Sequence, residues 1–123
     1  MSQSHPYILV VEDEPIIRMC AAEFVEDAGF VPIEVGDAPS ALAKLECEAG
    51  IAVLFTDINL PHGMDGLALA DEVARRWPHI RILIASGRTA PPASQLSGKV
   101  SFIPKPYGAD DFATALASLL AEP

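Results

Sequence analysis

Short apolar runs alternate five times with stretches in which apolar residues recur at a helical period. The runs Tyr7–Val11, Val31–Val35, Val53–Thr56, Ile80–Ala85 and Val100–Ile103 read as strands. Several are continuously apolar rather than alternating, the pattern of parallel strands covered on both faces. After the first strand, Pro15–Ala28 sets Ile17, Cys20, Ala21, Phe24, Val25 and Ala28 on one helical stripe. Pro15 suits a first helical turn, where a missing N–H does no harm, and Gly29 suits the stop. Asp37 is placed to cap a second helix that turns Ala38, Ala41, Leu42 and Leu45 inward. A third helix is expected from about Asp65 to Arg76, ended by Trp77 and Pro78. The last is expected from about Ala109 to Ala121, with Phe112, Leu116 and Leu119 facing the core. The remaining helical slot, between the fourth and fifth strands, holds "GRTAPPASQLSGK", with adjacent prolines and little apolar periodicity. A short or distorted fourth helix, or a mobile loop, is expected there.

Alternating β and α units imply a parallel sheet with right-handed crossovers and helices on both faces. In such sheets a site lies outside the carboxyl ends of the strands, where strand order reverses. The residues that follow each strand therefore carry the functional information. Glu12 and Asp13 follow the first strand, and Asp57 ends the third in "VLFTDINLP". Ser86 follows the fourth in "ILIASGR", and Lys105 the fifth in "SFIPKPY". Three carboxylates, one hydroxyl and one ammonium converge on one edge of the sheet. Carboxylates so placed repel, and partly burying one without a partner is costly, so the cluster calls for a cation.

This constellation resembles the receiver domain of two-component response regulators, through "VVEDEP", "FTDINLP", "IASG" and "PKPY". The likeness covers essentially the whole chain. It implies an α/β, flavodoxin-like fold: a five-stranded parallel sheet in the order 2-1-3-4-5 with helices on both faces. It implies one receiver domain over residues 1–123, with its core over about 6–122. It makes Asp57 the phosphate acceptor. Asp13 becomes a direct Mg²⁺ ligand, Glu12 a ligand through water, and the backbone carbonyl of Asn59 a third protein ligand. Ser86 and Lys105 become partners of the incoming phosphoryl oxygens, and Ser86 and Phe102 the switch pair. Asn59 and Arg88 occupy positions that set phosphoryl lifetime, although Arg88 also reads as a solvated loop arginine. The Lys105–Pro106 bond is expected to be cis. Pro104 removes a ladder donor, which the edge position of the fifth strand tolerates.

The residue types suit that chemistry in their own right. A carboxylate can attack phosphorus to give an acyl phosphate. Charge on the transferring group is spread over its equatorial oxygens and needs fixed positive charge around it. Mg²⁺ prefers oxygen ligands and keeps several waters, which suits two or three acids plus a carbonyl. Four departures from the common family pattern stand out. The loop "LPHGMDG" is one residue longer, Glu12 replaces aspartate and Ser86 replaces threonine. Phe102 lacks the hydroxyl of tyrosine, so any switch there rests on packing alone.

Composition narrows the function. At 123 residues the chain fits one domain with a single proper core. Half of it is hydrophobic and a fifth charged, a globular composition. A net charge of −9 argues against sequence-independent binding to nucleic acid or anionic lipid. No apolar run approaches the roughly 20 residues of a membrane helix, and "MSQSHPY" has no secretion pattern. A cytoplasmic protein with reduced, structural Cys20 and Cys47 is expected. His5, His62 and His79 share no metal-ligand spacing.

The expected function is a phosphoacceptor in a phosphorelay, catalysing only its own phosphorylation and dephosphorylation. Its partners would be a histidine kinase or histidine phosphotransfer protein upstream and a protein downstream. Two alternatives stand beside it. One is a degenerate pseudo-receiver that binds partners unphosphorylated. The other is a Mg²⁺ phosphatase with an aspartyl nucleophile. That chemistry wants a second acid two residues after the nucleophile, where this chain has Asn59, and a cap domain. No output domain is expected after Ala121, and the pattern suits both a stand-alone receiver and a domain of a hybrid kinase.

Overall fold

β1 (Tyr7–Val11) pairs in parallel with β2 (Val31–Val35) on one side and β3 (Ile51–Asp57) on the other. β3 continues to β4 (Arg81–Ser86), and β4 to β5 (Val100–Pro104), again in parallel. The result is a five-stranded sheet in the order β2-β1-β3-β4-β5, the expected flavodoxin-like arrangement. Helices α1 (Pro15–Asp27), α2 (Ala38–Cys47), α3 (Gly66–Arg76) and α4 (Ala109–Ala121) cover it. This computed structural model describes residues 6–61, 64–87 and 100–121. The expected irregular helix between the fourth and fifth strands, and Arg88 with it, lie outside the described residues.

Alternation along the strands supplies two cores. Leu9 and Val11 of β1, with Leu54, Ile82 and Ile84, face α2 and α3. Ile8 and Val10, with Val53, Phe55 and Leu83, face α1 and α4, where Phe112, Leu116 and Leu119 close the layer as expected. Each such Leu, Ile or Phe contributes about 1.5–3 kcal/mol by leaving water. On α2 and α3, Ala38, Ala41 and Ala70 are fully buried, so these helices approach the sheet closely. Pro32 and Pro104 lie on the two edge strands, where a missing N–H interrupts least and discourages pairing with another chain.

The helix signals act as read. The Asp37 carboxylate accepts a hydrogen bond from the Ser40 N–H at 2.8 Å, and Asp65 caps α3 through the Ala68 N–H at 2.8 Å. Gly29 follows α1 with φ +94°, a conformation that favours glycine. The Lys105–Pro106 bond is cis.

Three readings need correction. β3 starts at Ile51 rather than Val53, because Tyr7 pairs with Ile51 and a register shift then skips Ala52. β4 runs one residue later than read, since Ile80 still belongs to a turn that donates its N–H to the Trp77 carbonyl. On α1 the buried residues are Ala21, Ala22 and Val25, while Ile17 and Cys20 are exposed. The first turn of α1 follows directly on the carboxyl end of β1, and Ile16 and Ile17 in it are exposed. Among the described residues, no helix is long and apolar enough to cross a membrane.

Candidate functional site

Four of the five strands, β1, β3, β4 and β5, deliver charged or polar groups to the same edge. β1 ends at Val11 and hands over Glu12 and Asp13; β3 ends in Asp57, β4 in Ser86, and β5 leads into Lys105. Carboxylate oxygens of Glu12, Asp13 and Asp57 lie within 4.8 Å of one another. Glu12 and Asp57 are buried, at 6% and 8% exposure, while Asp13 faces solvent. Lys105 Nζ stands 2.8 Å from Asp57 Oδ1, and the Asn59 N–H donates to the same oxygen at 3.3 Å.

Backbone bonds hold these groups in place. The Ile58 N–H donates to the Ala85 carbonyl at 2.9 Å, which ties the loop after Asp57 to β4. The Lys105 N–H donates to the Ser86 carbonyl at 2.8 Å, which ties the lysine to the same strand end. The Glu12 N–H donates to Val35 at the end of β2 at 3.1 Å, and its carboxylate accepts from the Glu14 N–H at 3.1 Å. Gly66 brings α3 against the loop after Asp57: its N–H donates to the Ile58 carbonyl at 2.8 Å. A Cβ there would overlap the Asp57 carbonyl oxygen and sit 2.8 Å from Ile58 Cα.

Electrostatics reflect the crowding. Burial pushes the Glu12 carboxyl up to about 7, opposed by the Glu14 amide and reinforced by the nearby Asp57 charge. A buried acid held this high is one that a divalent cation would return to its charged form. The donor set is all oxygen, which fits a hard cation such as Mg²⁺. Tyr107 rises to about 12, chiefly through burial and then through the charges of Glu12 and Asp57. Its ring packs edge-on against Phe24 and Phe55, with centroids at 6.0 and 5.6 Å.

Glu12, Asp13, Asp57 and Lys105 thus come together, with Ser86 buried at the adjoining strand end. Asn59 reaches the cluster through its backbone. Phe102 lies away from the acids, half-buried against the α2–α3 core and lining a groove of about 450 Å³ beside α4. A second, larger hollow of about 520 Å³ adjoins Lys105, lined by Ile16, Ile17, Cys20 and Phe24 of α1 with Pro106 and Tyr107. Sequence reasoning gave Gly66, Arg18 and Tyr107 no role. Their partners are distant in the chain, and a spacing pattern carries no trace of them.

The family model "Response regulator receiver domain" matches residues 8–117. The chain belongs to the response regulator receiver domain family. The receiver is 36% identical over 108 residues to the nitrogen assimilation regulatory protein NtrX of Azorhizobium caulinodans, covering 84% of this chain and 23% of that protein. It is 34% identical over 109 residues to the C4-dicarboxylate transport transcriptional regulatory protein DctD of Rhizobium meliloti, covering 85% and 23%. It therefore spans less than a quarter of either regulator's length. Among solved structures, the chemotaxis response regulator CheY4 of Vibrio cholerae matches with a TM-score of 0.82 at 25% identity, covering 94% of this chain and 99% of that one.

Proposed function

We propose that the receiver accepts a phosphoryl group on Asp57 from a phosphohistidine, in a reaction that needs Mg²⁺. The observation that carries this reading is the Lys105 ammonium 2.8 Å from Asp57 Oδ1, inside a cluster of three convergent carboxylates. An Asp57 oxygen attacks phosphorus; the new O–P bond forms as the P–N bond breaks, and the donor imidazole leaves with that electron pair. Asp13, Asp57 and the Asn59 carbonyl would hold Mg²⁺ directly and Glu12 through water. When bound, the ion supplies positive charge to the transferring oxygens. Lys105 follows the charge from the carboxylate to a phosphoryl oxygen, and the Ser86 hydroxyl donates to another. Asn59 and Arg88 govern water's access to the acyl phosphate and so its lifetime.

The donor is a histidine kinase or histidine phosphotransfer protein, seated on the exposed apolar turn of α1 beside Pro106 and Tyr107. Drawing Ser86 inward lets Phe102 repack, which reshapes the groove between β5 and α4 for a downstream protein partner. Phosphorylation shifts this equilibrium only by its differential interaction with the two states. The receiver works as one cytoplasmic unit over about residues 6–122, without direct contact to nucleic acid or membrane, and turns over no separate substrate.

The test is intact mass after incubation with acetyl phosphate and Mg²⁺, beside an Asp57→Asn control. One added phosphoryl group, absent from the control and from a sample with chelator, is the expected result. An unmodified wild type would overturn the proposal in favour of a binding module that is read unphosphorylated.

A further inference from the structure

α1 starts without the support that helix starts usually have. Glu14 occupies its cap position and makes no side-chain capping bond. The three residues that carry the acids, Glu12 to Glu14, turn directly from β1 into this uncapped end. Arg18, the one basic residue of α1, reaches back toward that end. Its Nη1 donates to the Glu12 carbonyl at 2.9 Å, and its Nε lies 3.6 Å from Glu34 Oε1 on β2. The Glu12 N–H is bonded to Val35 of the same strand. One guanidinium, only 25% exposed, therefore joins helix, acid-bearing loop and edge strand.

We propose that Arg18 is a positioning residue for the cation site: it holds the Glu12–Asp13 backbone so that their carboxylates converge with Asp57. The inference rests on the Mg²⁺ reading above and adds a member to that site. Its sign is what makes it testable. A positive charge near a cation site opposes cation binding, so an arginine acting by charge alone weakens Mg²⁺ binding, and its removal tightens it. An arginine acting by position does the reverse. Glu34 beside it offsets much of its charge, and the planar fork suits two acceptors at once in a way that lysine does not.

The experiment is calorimetric titration of the full, chelator-treated chain with Mg²⁺. Wild type is compared with Asp13→Asn, Arg18→Ala and Arg18→Lys, and thermal melts without metal verify folding. Arg18→Ala is expected to bind Mg²⁺ at least about tenfold more weakly, the usual cost of losing a group that orients a ligand. Arg18→Lys keeps the charge and loses the fork, so it is expected to bind several-fold more weakly than wild type. It decides the matter even if the alanine variant fails to fold. Faster amide exchange at residues 12–14 in the metal-free variants is the matching structural readout. Mg²⁺ binding by Arg18→Lys that equals or exceeds that of wild type would overturn the role of Arg18 while leaving the site reading intact. Wild-type protein that binds no Mg²⁺, or binds it equally after Asp13→Asn, would overturn the site reading and the proposal with it.

Discussion

A carboxyl pushed up to about 7 by burial makes Glu12 a pH-sensitive element of the metal-free fold. The folded value lies above the ordinary one of 4.5, so folding favours the protonated form. Its contribution to stability is complete below about 4.5 and is lost as pH rises through about 7. In the presence of chelator, the melting temperature of wild type relative to Glu12→Gln is expected to fall across this window. A difference that stays flat with pH would show that Glu12 is not held protonated. Gly66 is a residue-scale constraint of another kind. Gly66→Ala puts a methyl group onto the Asp57 carbonyl, with backbone on the receiving side. Overpacking of this sort costs about 1–3 kcal/mol. Urea unfolding is expected to show that loss, together with slower labelling of Asp57 by acetyl phosphate as its loop shifts.

Among the helices, α1 departs most from its sequence pattern. Its apolar stripe divides in two: Ala21 and Val25 are buried, while Ile17 and Cys20 are exposed, and Ile16 and Met19 off the stripe add exposed apolar surface at 75% and 60%. Neighbouring exposed apolar side chains beside a charged site suit the docking of the proposed phosphohistidine partner. Ile17→Asp is therefore expected to leave stability within about 0.5 kcal/mol of wild type, as surface changes usually do. Labelling by acetyl phosphate should be unchanged, because the small donor does not need this surface. Transfer from a phosphohistidine protein should slow at least tenfold. Equal transfer rates in wild type and variant would remove α1 from the docking face. The cap at Asp37, by contrast, was readable in place, because it bonds to an amide three residues ahead, a relation contained within one turn; Asp65 makes the same bond at the start of α3.

Across the whole molecule, what the chain determined by itself is what depends on neighbours along it. Apolar runs, helix caps and the residues just past each strand are local facts. A parallel sheet turns the last of these into a shared edge without further information. That is why Glu12, Asp13, Asp57, Ser86 and Lys105 could be named before any contact was known, and why the resemblance through "VVEDEP" and "PKPY" led to the right fold. Tertiary structure decided the rest. It set the start of β3 through the pairing of Tyr7 with Ile51, and it left Ile16 and Ile17 in the first turn of α1 exposed. It pressed Gly66 against Asp57, stretched Arg18 between Glu12 and Glu34, and buried Glu12 far enough to raise its carboxyl. Each of these is a distance or a degree of burial set by packing between elements, and no local pattern in the chain encodes such a quantity.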